Sequence, residues 1–259
     1  MHRRVLALAL AGFACGALLA AQEAEPDRID PERPDFTNGT GIVAPGRVQV
    51  ETGYTFTRRG DERRHALGEA LVRAGVAPQA EARLVLNSYD WIDGPDGRRQ
   101  GLEDPALEVK VRLTGEAEHR PPGLPAVALF LATTVPAGAR PITADAWQPT
   151  AKLALGWHLS EQLDLSSNLA YSRLAEDGRR FGQAAASLSL GVSWTAELGS
   201  FFEVYGFSQE SADGAGTAYV DSGVTYAVSR DFQVDARVGI GLRGAGPSYF
   251  AGLGAAVRW

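Results

Sequence analysis

The chain has 259 residues, 25 basic against 31 acidic, and a formal net charge of −6. That acidic balance argues against nucleic acid as a partner, and a single cysteine, Cys15, excludes a disulfide framework. Beyond the N-terminus no run approaches the roughly eighteen apolar residues of a spanning helix.

Arg3 and Arg4 precede the apolar stretch 5–19, the small residues Ala20 and Ala21 follow, and then come Glu23, Glu25 and Asp27. This reads as a secretory leader over residues 1–21, because its apolar core is too short to span a bilayer. Cys15 follows Gly12-Phe13-Ala14, without the aliphatic residue three places upstream that a lipidation signal would show. Residues 22–45 are acidic and contain proline at their start, and are expected to form a periplasmic tail or an inward-folded segment.

From residue 46 apolar and polar residues alternate. Val48, Val50, Thr52, Tyr54 and Phe56 share one face, and Gln49, Glu51, Gly53, Thr55 and Thr57 the other. The pattern recurs in twelve segments, at 46–58, 63–74, 80–91, 103–115, 124–135, 147–159, 162–173, 182–195, 200–209, 216–228, 231–242 and 248–259. Each is close to the ~9–11 residues a tilted strand needs to cross hydrocarbon. The clearest sets Leu107, Val109, Val111 and Leu113 against Glu108, Lys110, Arg112 and Thr114. The least clear is 63–74, where Leu67 and Leu71 share a face with Glu69 and Arg73. Mean hydropathy is near zero because lipid-facing and lumen-facing residues cancel.

With the N-terminus in the periplasm, the periplasmic turns fall at 75–79, 116–123, 160–161, 196–199 and 229–230. The outer loops fall at 59–62, 92–102, 136–146, 174–181, 210–215 and 243–247. Apolar-face aromatics form two levels, Tyr54, Phe56, Trp147, Tyr171 and Tyr249 at one end and Trp157, Trp194, Tyr226, Phe232 and Trp259 at the other, as interfacial girdles do. A soluble sandwich or lipocalin-like barrel explains neither this placement nor the leader. The expected fold is all-β: a transmembrane antiparallel up-and-down barrel of about twelve strands over 46–259, with both termini periplasmic, in the bacterial outer membrane. Outer-membrane lipids, the barrel-assembly machinery reading the terminal Trp259, and a small-molecule solute are the expected partners.

The opposite phase carries the candidate lumen-lining residues Glu51, Glu81, Arg83, Glu108, Lys110, Arg112, Lys152, Asp164, Glu203, Asp221, Asp235 and Arg237, with Arg258 near the end. On the lipid face each charge would cost about 2–4 kcal/mol near the midplane. They either line a selective pore or neutralise one another in a filled interior. Catalysis is not expected, since His65, His119 and His158 are scattered and no serine–histidine–carboxylate set can be assembled. No metal site or phosphate-cradling loop is seen, and no cofactor is expected.

Arg33-Pro34-Asp35-Phe36-Thr37, followed by the run from Pro45 to Tyr54, resembles the opening of an outer-membrane transporter family named for a meta-pathway of phenol degradation. Further matches are 73–76, 81–83, Gly101-Leu102-Glu103-Asp104-Pro105, 134–138, Phe202-Glu203 and 235–241, so the resemblance spans nearly all of the chain after the leader. It implies an outer-membrane β-barrel passing small, aromatic or hydrophobic molecules. Three readings are carried forward: a passive channel, a closed structural barrel and, with least support, a lipid hydrolase using His65.

Overall fold

The computed structural model describes residues 28–244 and 246–259; the leader reading, with Cys15, lies outside them. Thirteen strands follow in chain order: β1 Val48–Arg59, β2 Glu62–Ala77, β3 Ala80–Gly94, β4 Gly97–Leu102, β5 Ala106–Arg112, β6 Ala126–Thr134, β7 Gln148–Ser160, β8 Leu163–Glu176, β9 Arg179–Ser193, β10 Leu198–Phe207, β11 Thr217–Ser229, β12 Phe232–Arg243 and β13 Tyr249–Arg258. Neighbours pair antiparallel, and β13 pairs with β1 from Gln49↔Arg258 to Arg58↔Tyr249, which closes the sheet. Closure leaves β4, which pairs with β3 alone, as the one strand with an edge outside the ladder among the described residues. The helical content of the described residues is one 3-10 turn, Ala117–His119, and no helix is long and apolar enough to cross a membrane.

The wall has twelve strand places, because β4 and β5 occupy one between them. Both pair with β3, β4 along 89–94 and β5 along 80–85. They are separated at 103–105, where Asp104 turns out of the ladder. Its carboxylate accepts from the Gly138 and Ala144 amides at 2.8 and 3.0 Å and from the Thr143 hydroxyl at 2.7 Å, tying down the 135–147 loop.

Two stretches read as loops are therefore mostly strand. Residues 92–102 form the β3–β4 hairpin around Pro95-Asp96, and 174–181 form the β8–β9 hairpin around Asp177-Gly178. Asp177 and Gly178 both take positive φ, 48° and 74°, the geometry of a tight turn that matches the twist of its strands.

The ambiguity at 63–74 resolves as a bulge. Gly68 and Glu69 have φ of 105° and 39°, and register shifts between Leu67 and Leu71. Leu67 stays opposite Tyr54, facing out, while Arg73 faces in opposite Gln49. Asn87 in β3, at φ 55°, makes the matching shift, so Glu81 and Arg83 face inward on odd numbers but Ser88 and Asp90 on even ones.

Burial is inverted relative to a soluble domain. Leu107, Leu131, Leu169, Trp194, Val238, Leu253 and Trp259 are exposed, whereas Gln49, Glu51, Arg73, Glu81, Lys110 and Glu203 are among the most buried side chains. A continuous apolar exterior on a closed sheet is stable only against lipid, and the protein is an outer-membrane β-barrel. Residue 28 and the C-terminal Trp259 lie together at one end of the barrel, the terminal end, as does the 113–125 connection; loops 135–147 and 208–216 lie at the other, the loop end.

Candidate functional site: a lumen crossed by the N-terminal segment

Residues 28–45 run inside the barrel, held by side chains from many strands. The Glu32 amide donates to both oxygens of Glu51 at 3.1 and 3.0 Å. Arg33 bonds Glu69 at 2.7 Å and Asp235 at 3.4 Å, filling space left by the inward-facing pair Gly53 and Gly254, where a Cβ would collide with its guanidinium. Arg237 donates to the Pro34 carbonyl at 2.8 Å. Glu203 receives the amides of Phe36 and Thr37 at 2.7 and 2.6 Å, and the Thr37 hydroxyl. Asn168 exchanges hydrogen bonds with the backbone of Asn38 at 2.8 and 2.9 Å, and the Val43 amide reaches Glu81 at 2.8 Å. An aperiodic segment thus gains through strand side chains the backbone partners it lacks in a ladder.

At one side wall the charges condense. Arg73 contacts Glu51 at 3.1 Å and Glu81 at 2.9 Å. Arg83 contacts Glu81 and Glu32 at 3.0 Å each and pairs with Glu108, and Lys110 reaches Glu32 at 2.5 Å. Burial alone would push the Glu32 carboxyl up, but Lys110, Arg83 and Arg73 outweigh it and hold the group well below the ordinary carboxylate range. Phe130, 1% exposed, lies in register between Lys110 and Lys152, with both ammonium groups and the Arg83 guanidinium 4.2–5.2 Å from its ring centre. An inward aromatic among cations offers them its electron-rich face.

The sequence-predicted residues divide by position. Glu51, Glu81, Arg83, Glu108 and Lys110 form the charged wall, and the Lys152 ammonium bonds the Asn38 side chain. Glu203, Asp235 and Arg237 grip the segment, with Asp221 opposite Glu203 in the ladder. Arg112, Asp164 and Arg258 lie at the terminal-end rim against Glu116, His158 and Asp231, at 2.7, 2.9 and 2.9 Å. Sequence reasoning did not find Glu32, Arg33, Arg73, Phe36 or Phe130 as site residues.

On the loop side of the segment lies a cavity of about 600 Å³. Phe36, Tyr205 and Tyr219 form its aromatic wall: Phe36 stacks on Tyr205 at 4.5 Å and Tyr205 on Tyr219 at 4.8 Å, both 16° from parallel, and Phe207 meets Phe36 edge-on at 5.3 Å. Arg59, Arg64, Glu69, Glu210 and Arg237 supply the polar lining.

The histidines lie elsewhere. His65 faces outward, its Nδ1 2.7 Å from the Tyr54 hydroxyl, within the cluster of Phe56 and Trp91. His119 pairs with Glu116 and His158 with Asp164 near the strand ends.

Solved structures share this architecture. The COG4313 outer membrane channel from Pseudomonas putida F1 aligns over 90% of this chain and 100% of its own, with a TM-score of 0.65 at 13% identity. The NanC and KdgM porins align over 81% of this chain and 98% of their own, with TM-scores of 0.55 and 0.53 at 10% and 7% identity. No curated protein matches in sequence. The family described as "Putative MetA-pathway of phenol degradation" matches residues 32–259, and the chain belongs to it.

Proposed function

We propose that the protein is a non-enzymatic outer-membrane channel for small aromatic or hydrophobic solutes, with its terminal end in the periplasm and its loop end outside. The observation that carries this reading is the roughly 600 Å³ chamber with stacked Phe36, Tyr205 and Tyr219 in its wall, inside a closed wall that lipid surrounds. Stacked rings offer an aromatic solute a further face, and a cavity of this size holds a small organic molecule. Passage beyond the chamber follows displacement of the 28–45 segment, whose Phe36 belongs to that wall. The similarity to channels and porins supports the reading.

Single-channel recording of the refolded chain in planar bilayers, with aromatic-solute flux into vesicles, tests it. Discrete conductance steps and flux exceeding that of an aliphatic of equal size are expected. A folded barrel with neither would favour the second reading, a closed structural barrel, for which the dense bonding of the segment is the supporting observation. Orientation is tested separately: a peptide tag after Ser211 should be labelled on intact cells, and one after Arg230 should not.

A further inference from the structure

The strand ladders assign every strand residue to the inner or outer face. Leaving aside Arg243, which follows a register shift, the charged outward positions are Arg58, Arg63, Asp93, Arg98, Arg173 and Arg180, and all lie at the loop end. The outward positions at the terminal end are uncharged, among them Val48, Leu163, Val192, Tyr226 and Val257. Arg98 is neutralised by Asp93 at 2.7 Å, and Arg58 approaches Asp61 at 3.6 Å. Arg173 in β8 and Arg180 in β9 have no carboxylate partner among the described residues, and both are exposed.

The register places this pair together. Arg173 faces Gly182 and Arg180 faces Ala175, so the two are diagonal neighbours, their Cα atoms about 7 Å apart. Gly182 has no Cβ, and the Tyr171 ring lies across it with its hydroxyl over the glycine, flooring the site with a polar atom. Just below, Tyr171 and Trp147 belong to the aromatic girdle, and Arg180 donates to the Trp147 carbonyl. Girdle aromatics mark the depth where acyl chains give way to headgroups. Two guanidinium groups without a carboxylate partner, one step above it, stand at the level of lipid phosphates, which arginine binds bidentately.

We infer that Arg173 and Arg180 form a binding site for the phosphorylated headgroup of an outer-leaflet glycolipid, a diphosphorylated, acylated sugar, held against the barrel exterior with its chains along β8 and β9. Its placement in the outer leaflet rests on the proposed orientation of the loop end; the binding chemistry does not.

The test is native mass spectrometry of the refolded chain in detergent with three probes: diphosphorylated lipid A, the same lipid with its phosphates removed, and phosphatidylglycerol. The wild-type chain should retain the diphosphorylated lipid about tenfold more than either of the others, and R173Q/R180Q should lose about that factor, with partial recovery in R173K/R180K. Equal retention of the three lipids, or equal retention of the diphosphorylated lipid by the wild-type and glutamine chains, would overturn the inference. The comparison among lipids needs only the wild-type chain, so it stands even if the variants do not fold. Because detergent has no sidedness, a failed surface-tag experiment would correct the leaflet and leave this result intact.

Discussion

Lys110 and Glu32 meet inside the barrel with Nζ 2.5 Å from Oε1 and side chains only 0% and 5% exposed. One residue belongs to the wall and the other to the segment that crosses the lumen. Arg73 and Arg83 converge on the same carboxylate at 3.5 and 3.0 Å, so Glu32 is where the segment is fastened electrostatically. Removing one partner of a buried ion pair leaves the others unpaired, at a cost of about 3–5 kcal/mol. Glu32→Gln keeps the shape and removes the charge. We expect it to leave the barrel folded, to speed cleavage within the 28–45 segment by a protease of broad specificity and to raise single-channel conductance. Proteolysis and conductance at the wild-type level would show that the fastening lies elsewhere.

The same cluster sets a pH response. The folded-state carboxyl of Glu32 lies below its ordinary value of 4.5, so its stabilisation is fully present above that value and is lost as pH falls toward the depressed one. Protection of the segment should therefore be flat from pH 7 to about 5 and should weaken only below about 4. Limited proteolysis by an acid-active protease against pH measures this. Release near pH 6 would contradict the assignment.

Phe130 contributes both volume and cation binding, and two substitutions separate them. Phe130→Leu keeps most of the apolar bulk and loses the ring face beneath Lys110, Lys152 and Arg83, which should cost about 1–2 kcal/mol. Phe130→Ala adds a cavity and should cost about 3–5 kcal/mol. Guanidinium unfolding in detergent provides the comparison. Equal losses would mean that packing alone explains the residue.

The barrel was legible because a closed wall imposes a period of two on nearly every strand, as in 107–114 and 248–259. It was least legible where the wall bends. Gly68-Glu69 and Asn87 each slip the phase, so the alternation does not mark Tyr89 and Trp91 as exterior aromatics, and the β3–β4 hairpin reads as loop. Phe130 was hidden for another reason. Its strand is apolar on both faces, with Ala128 and Phe130 inside and Leu129 and Leu131 outside, so hydropathy carried no phase. Glu32 and Arg33 occupy an aperiodic segment, and their partners lie far along the chain, on β2, β3, β5 and β12; local pattern cannot encode such contacts.

The bulge makes its own prediction. A Cβ on Gly68 would meet nothing closer than the Asn87 carbonyl at 3.6 Å, an ordinary contact, so space is not the obstacle. Its φ of 105° is, since side chains disfavour that conformation. Gly68→Ala should cost about 1–3 kcal/mol through backbone strain. If the strand escaped by expelling the bulge, Arg73 would turn toward lipid, a larger penalty of about 2–4 kcal/mol. A variant as stable as the wild-type chain in detergent unfolding would mean that the bulge is unstrained.

Solute preference should reside in the stacked wall of the chamber. Tyr205 is sandwiched between Phe36 and Tyr219, so Tyr205→Ala unstacks both neighbours and removes a ring worth about 0.5–1.5 kcal/mol in aromatic contact. Tyr205→Phe keeps the stack and removes only the hydroxyl. We expect Tyr205→Ala to lower flux of a small aromatic at limiting concentration several-fold while leaving an equally sized aliphatic unchanged, and Tyr205→Phe to behave like the wild-type chain. If both solutes slowed together, the ring would be shaping the passage, because a merely steric element does not distinguish a flat π-face from a saturated one.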